Sequence, residues 1–401
     1  MSKKVVFILL CLSVLLTGCW DRHELNDISI VTGMAVDKGE EKKYKLTVEV
    51  VNSAEFGKQS AQGNAPVLTH SLEGDSLPEL THKMNIGLSK ILIYSHTRVL
   101  FIDEEVAKKG MLGFLDYLER SGQFRNDFRI VITQGNKASD FTRINYPIQK
   151  SPSLKLHQQT KSFQEEWGGD PGVKLTDFVS AIVSEGRNPV TATVKIKGDK
   201  QAGKKVENNQ SIDPEALVYI DGLAVFEDEK LKGFLPVNET RGYLWTKGIE
   251  QTSYSISCPG KQSNFLDIRI IRAKSEMSTV YKNHMPHLKV NIYGEANVQG
   301  NECPNSDILQ LSLYKKLEKN MESQIKQDIT NSIEKVQDEF GIDIYGFGDR
   351  LHQMNPKKFK EVKDKWDKEF AKADVDIDVN IDLLRAGFRN KSYKTNLQKQ
   401  E

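Results

Sequence analysis

The Cys19 thiol carries the clearest chemistry in this chain. It closes Leu16-Thr17-Gly18-Cys19 behind an apolar run, Val5 to Leu16, which itself follows Lys3 and Lys4. A basic start, a short apolar core and two small residues before a cysteine form a lipobox. The run is too short for the roughly 20 apolar residues of a spanning helix. Small side chains at 17 and 18 let the segment enter a peptidase extended, and the thiol can accept a diacylglyceryl group before cleavage on its N-terminal side. Residues 1–18 are then lost, and two acyl chains on Cys19 suffice for stable anchoring to the outer face of a membrane. The alternative is an ordinary signal peptide, which leaves Cys19 a reactive thiol without a role.

Two further cysteines, Cys258 and Cys303, lie where a disulfide is expected on the oxidising side of a membrane, the alternative being two separate buried thiols. Asn264 to Ala273 and His287 to Val298 alternate as strands, with Tyr281-Lys282-Asn283 as the turn, and a ladder centred between 280 and 281 sets the two thiols face to face. No CxxC is present, and two thiolates do not complete a tetrahedral metal site. The row Asp374, Asp376, Asp378 and Asp382 suggests a calcium loop, but Val379 stands where the turn glycine belongs and Arg385 where the closing Glu belongs. A solvated strand face is the better reading. Gly346 and Gly348 imitate a dinucleotide fingerprint, yet Leu351 takes the third glycine's place and a helix precedes them, so they read as a helix-terminating turn. His284 and His287 flank Met285-Pro286 as exposed turn residues. With no nucleophile elbow, HExxH or phosphate loop, the chain reads as a non-enzyme without cofactor.

The elements around these residues predict an α+β chain of three consecutive domains, 19–150, 173–255 and 256–401, after a signal peptide at 1–18. In the first, Ile28 to Val36 and Tyr44 to Val51 form a hairpin. The polar stretch Gly57 to Pro66 precedes a strand at Val67 to Leu72, and Ser76 to Leu88 forms a helix with Pro78 in its first turn. Arg98 to Ile102 is a buried strand, Glu104 to Arg120 one helix burying Val106, Leu112, Leu115 and Leu118, and Phe128 to Thr133 a further strand. Lys150 to Gly172, rich in Pro, Gly and polar residues, reads as a linker. Thr176 then caps a short helix that Gly186 ends in a left-handed conformation. Strands Val190 to Ile196 and Leu217 to Phe226 enclose a solvated loop at Lys197 to Asn209. In the third unit a long helix, Ile308 to Phe340, carries the stripe Leu317, Met321, Ile325, Ile329, Ile333 and Val336. A shorter helix, Pro356 to Ala371, shows Phe359, Val362, Trp366 and Phe370 on one side, and the final strand sets Val375, Ile377, Val379, Ile381 and Leu383 against the acidic row.

Charge is nearly balanced, at 56 Lys and Arg against 55 Asp and Glu. No basic stripe is present for nucleic acid, and membrane attachment falls to lipid on Cys19. Cys19 is followed by Trp20-Asp21-Arg22-His23-Glu24-Leu25 and by Ile30-Val31-Thr32-Gly33-Met34-Ala35-Val36-Asp37. Then come Lys108-Lys109-Gly110 before Leu115-Asp116, Glu185-Gly186-Arg187-Asn188-Pro189, Gly222-Leu223-Ala224-Val225-Phe226, and Gly346-Phe347-Gly348 through Trp366. In this order the segments resemble the C-subunit lipoproteins of spore germinant receptors, the GerAC or Ger(x)C family. The resemblance implies three sheet-and-helix domains on the outer face of the inner spore membrane. It also implies a large membrane-spanning A subunit and a transporter-like B subunit as partners, in a receptor through which nutrients trigger germination. It carries over Cys19 as the lipidated residue and no catalytic or ligand residue. The resulting expectation is an assembly or signal-coupling subunit; the alternative is a lipid-anchored solute-binding protein that captures the germinant itself.

Overall fold

The computed structural model describes residues 24, 26–56, 64–249, 251–258, 261–303 and 311–385. The 1–18 segment, Cys19, most of the Gly57 to Pro66 stretch and the start of the long helix lie outside the described residues. The chain is α+β, with two sheets and helices against both.

The hairpin expected at the start forms as β1 (Ile28–Lys38) and β2 (Tyr44–Val51), and the chain continues through α1 (Ser53–Phe56) to β3 (Val67–Gly74), α2 (Leu77–Lys83), β4 (Ile91–Ile93) and β5 (Val99–Asp103). Ser76 precedes α2 and Pro78 lies in its first turn, where a missing N–H costs no helical bond. The single helix expected from Glu104 to Arg120 is two, α3 (Glu104–Lys109) and α4 (Leu112–Arg120). Gly110 breaks it with a φ of 106°, which turns Leu112 outward while Val106, Leu115 and Leu118 stay buried. β6 (Arg129–Thr133) and α5 (Ala138–Phe141) follow.

The expected linker at 150–172 is instead α6 (Pro152–Trp167), a helix of 16 residues. Ser151 accepts the Leu154 N–H at its start, Pro152 takes the first helical position, and Gly168 ends it at φ 66°. The Pro and Gly residues that suggested a linker are this helix's punctuation. Nor does a domain boundary divide the strands there. β7 (Val190–Gly198), β8 (Ala216–Glu227) and β9 (Lys230–Leu235) extend the first sheet, with order β3-β2-β1-β5-β6-β7-β8-β9 and β4 beside β1. The expected first and middle units therefore share one sheet, joined where Val131, Ile132 and Thr133 pair in parallel with Ala192, Thr193 and Val194. One face packs Met34, Val36, Leu100 and Ile130 under α2 to α4 and α7 (Leu175–Ile182), and the other packs Ala35, Phe101, Val131 and Val194 against Leu156 of α6. Lys174, not Thr176, precedes α7, with its N–H donated to Asp177 at 3.0 Å.

The stretch Lys197 to Asn209 is also more ordered than expected. It holds α8 (Lys200–Gly203) and α9 (Val206–Gln210). Lys200 and Lys204 pair with Asp140 at 3.0 and 2.6 Å, and buried Asn208 donates to the Asn145 and Ala216 carbonyls. These anchors come from distant residues that local composition does not report.

After α10 (Val237–Lys247), β10 (Thr252–Cys258), β11 (Lys261–Lys282), β12 (Met285–Asn301) and β13 (Asp374–Arg385) form the second sheet in that order. The β11–β12 turn lies at Asn283 and His284, both at positive φ, rather than at 281–283. Between β12 and its parallel neighbour β13 run α11 (Leu311–Glu339), α12 (Phe347–Met354), α13 (Pro356–Val362) and α14 (Trp366–Phe370), the crossover that a parallel pair needs. The α11 stripe from Leu317 to Val336 is fully buried on the sheet, each side chain contributing roughly 1.5–3 kcal/mol. The helix expected over Pro356 to Ala371 is divided by a 3₁₀ turn at Lys363–Lys365, but its four apolar residues are all buried. The outer edge of β13 is covered by α11 near its end, where Glu322 and Glu318 accept the Ile381 and Leu383 N–H groups at 3.2 and 3.1 Å. Among the described residues, no helix is long and apolar enough to cross a membrane.

A clasp between the two sheets as candidate functional site

Of the residues singled out by chemistry, Cys19 lies outside the described residues. Cys258 and Cys303 are joined, with Cα atoms 5.4 Å apart, but not as facing residues of one hairpin. Cys258 ends β10 and Cys303 follows β12, so the bond bridges the two strands on either side of β11. The acidic row of β13 is exposed along an open sheet face, and His287 Nδ1 stands 3.6 Å from Asp374. Gly346 and Gly348 do not terminate a helix; they open α12, and they belong to a densely hydrogen-bonded polar cluster.

At its centre is Asp343, fully buried in the loop between α11 and α12. Its Oδ1 accepts the N–H groups of Tyr345 and Gly346, each at 2.8 Å. Its Oδ2 accepts the Gly348 N–H at 2.9 Å and the Trp366 indole N–H at 3.0 Å. The Asp343 N–H donates to Asp367 Oδ1 at 2.9 Å, and its carbonyl accepts the Asn188 N–H at 2.6 Å. Asn188 also donates its side-chain amide to both Asp367 oxygens, at 3.1 and 3.3 Å. The Glu185–Pro189 segment, which leads into β7 of the first sheet, is thereby locked onto the α11–α12 loop and α14 of the second.

The lock is also steric. A Cβ on Gly348 would lie 2.5 Å from Trp366 Nε1 and 2.7 Å from the Gly186 carbonyl oxygen, and one on Gly186 would lie 2.3 Å from the Asp349 nitrogen. Gly186, expected to be left-handed, is not; it is small because two backbones meet there, its carbonyl accepting the Asp349 N–H at 3.2 Å. Ser184 Oγ donates to Asp349 Oδ1 at 2.6 Å, Arg187 lies 3.3 Å from Asp349 Oδ2, and Lys363 pairs with Glu185 at 2.6 Å.

Burial pushes the Asp343 carboxyl upward, against the opposing pull of its N–H donors and of Lys247. Lys247 donates to the Tyr345 carbonyl at 2.7 Å, and desolvation draws its ammonium downward. Asp343 was not singled out from the sequence. The available signal was a carboxylate two to five residues ahead of Tyr345, Gly346 and Gly348, the spacing at which Asp caps successive N–H groups.

A second buried carboxylate ties the other end of the first sheet. Glu49 of β2 accepts from Thr32 Oγ1 at 2.9 Å, Ser153 N at 3.1 Å and Ser153 Oγ at 2.5 Å, and also from Ser151 Oγ. It thus sits at the N-terminus of α6, where the helix dipole favours negative charge, while burial raises its pKa. Most partners of Asp343, namely Asn188, Gly346, Gly348 and Trp366, fall within segments that carried the family resemblance, as does Thr32 beside Glu49.

Two family models span the chain: the spore germination protein N-terminal domain matches residues 21–196, and the spore germination B3/GerAC-like C-terminal domain matches residues 221–387. The chain belongs to the GerAC family of spore germination proteins. It is 28% identical over 403 residues to spore germination protein KC of Bacillus subtilis (strain 168), with 98% of each chain covered. It is 22% identical over 379 residues to spore germination protein B3 of the same organism, covering 93% of this chain and 95% of that one. Its fold is similar to the crystal structure of the GerBC protein, at TM-score 0.55 and 19% identity over 91% of this chain and all of the other.

Proposed function

We propose that this chain is the lipid-anchored C subunit of a nutrient germinant receptor, held by Cys19 on the outer face of the inner spore membrane. There it acts in assembly or signal coupling with the A and B membrane subunits, and not as an enzyme. The observation that carries this reading is the clasp. Buried acceptors and interlocked glycines join the two sheets by direct contacts, which offer a physical route from a contact made on one sheet to the other. Near-neutral charge and the GerAC match along most of the chain fit a protein that presents surfaces.

Affinity purification of the tagged chain from spore membranes tests the reading. Recovery of the A and B subunits is expected. Quantitative recovery of the chain alone, from membranes in which both subunits are present and solubilised intact, counts against it.

A further inference from the structure

Beside the clasp lies a cleft of about 370 Å³, within the size range of small-ligand sites. One wall comes from α7 and the strap that leads to β7, and the other from α10 and the α11–α12 loop. Its position is thus at the junction of the two sheets. Buried Val190, Tyr243, Leu244 and Ile344 give it an apolar floor.

Two cations line this floor, and neither is saturated by the groups around it. Arg187 places Nη2 on Ser180 Oγ at 3.2 Å, while its buried Nε makes no hydrogen bond and is held by Asp349 only as an ion pair at 3.3 Å. Lys247 has three N–H donors and spends one on the Tyr345 carbonyl. Asp177 is the one carboxylate in the lining, and one of its oxygens is occupied by the Lys174 N–H. An apolar floor beneath two cations with donors to spare matches one ligand chemistry.

We propose that this cleft binds a small carboxylate with an apolar body, the carboxylate meeting Lys247 and Arg187 and the body resting on Val190, Leu244 and Ile344. Such a ligand touches both sides of the junction at once. It would steady the clasp without entering it. The site is independent of the membrane anchor and of any partner subunit, so its failure would leave the receptor reading untouched.

The test is calorimetric titration of the purified full-length chain with 3-phenylpropanoate, against the neutral 3-phenylpropanamide as control. Saturable binding of the acid is expected, with the amide about tenfold weaker or worse, the value of one charge-assisted contact. Lys247→Met should weaken the acid by about tenfold and Lys247→Arg should restore most of it. Ser180→Trp, at an exposed rim position, should block the cleft, with its urea midpoint measured alongside, which keeps the test valid if the Lys247 variant folds poorly. Equal affinity for acid and amide, binding indifferent to Ser180→Trp, or no saturable binding of the acid would each overturn the proposal.

Discussion

Replacing Asp343 with alanine removes the acceptor for four N–H donors at once: Tyr345, Gly346, Gly348 and the Trp366 indole. A buried donor left unsatisfied costs about 1–3 kcal/mol, and local relaxation or an entering water recovers part of the sum, so a loss of about 3–5 kcal/mol is expected. Asp343→Asn keeps one oxygen but turns an amide NH₂ toward two of the four donors, and should cost about half as much. Urea unfolding followed by tryptophan fluorescence measures both. A double-mutant cycle with Trp366→Phe should show at least about 1 kcal/mol of coupling, because the indole N–H ends on the same carboxylate. The pH dependence has a definite sign. Burial raises the folded carboxyl to about 6, so the native state holds this proton over a range in which the unfolded chain has released it. The advantage of wild type over Asp343→Asn is therefore largest below the ordinary carboxylate range and declines as pH rises through about 6. A loss below about 1 kcal/mol for Asp343→Ala would refute the clasp as described.

Gly348→Ala should destabilise by about 1–3 kcal/mol, read from the same urea titration, since its new methyl meets the Gly186 carbonyl and the Trp366 ring rather than a yielding side chain. An unchanged midpoint would mean the two backbones are not in contact. Cys303→Ser opens a link between residues 45 apart and should cost roughly 3–4 kcal/mol, with non-reducing peptide mapping of the parent chain showing the 258–303 cross-link. Two freely alkylated thiols in oxidised protein would contradict it. Cys19→Ala should release the chain from spore membranes and weaken germination, as fractionation would show, because the anchor needs both acyl chains. Full retention in spores lacking the partner subunits would sink the lipid-anchor reading.

Much of the fold was legible where one element's own period reports its burial. The stripe from Leu317 to Val336 and the alternation from Val375 to Leu383 are properties of a single helix and a single strand; the stripe is buried throughout, and in the strand Ile377, Ile381 and Leu383 are buried with Val375 and Val379 partly so. The β1–β2 hairpin and the Ser76–Pro78 helix start were legible for the same reason, since their signals lie within a few residues. Pro152, Gly168 and Gly172 show the limit of such signals: the residues that punctuate a linker also punctuate a helix. The first sheet's passage across that stretch depends on β6 meeting β7, about 60 residues apart, and no local pattern carries it. The sequence likewise marked Gly186, Asn188, Gly348 and Trp366 as features without saying that they touch. Asp343 gathers them because a buried carboxylate must find donors wherever the packed chain brings N–H groups close. Periodicity determines which side of an element leaves water. Which distant backbone then fills that space is decided only by tertiary packing, through close contacts and hydrogen bonds that exist once both sheets are in place.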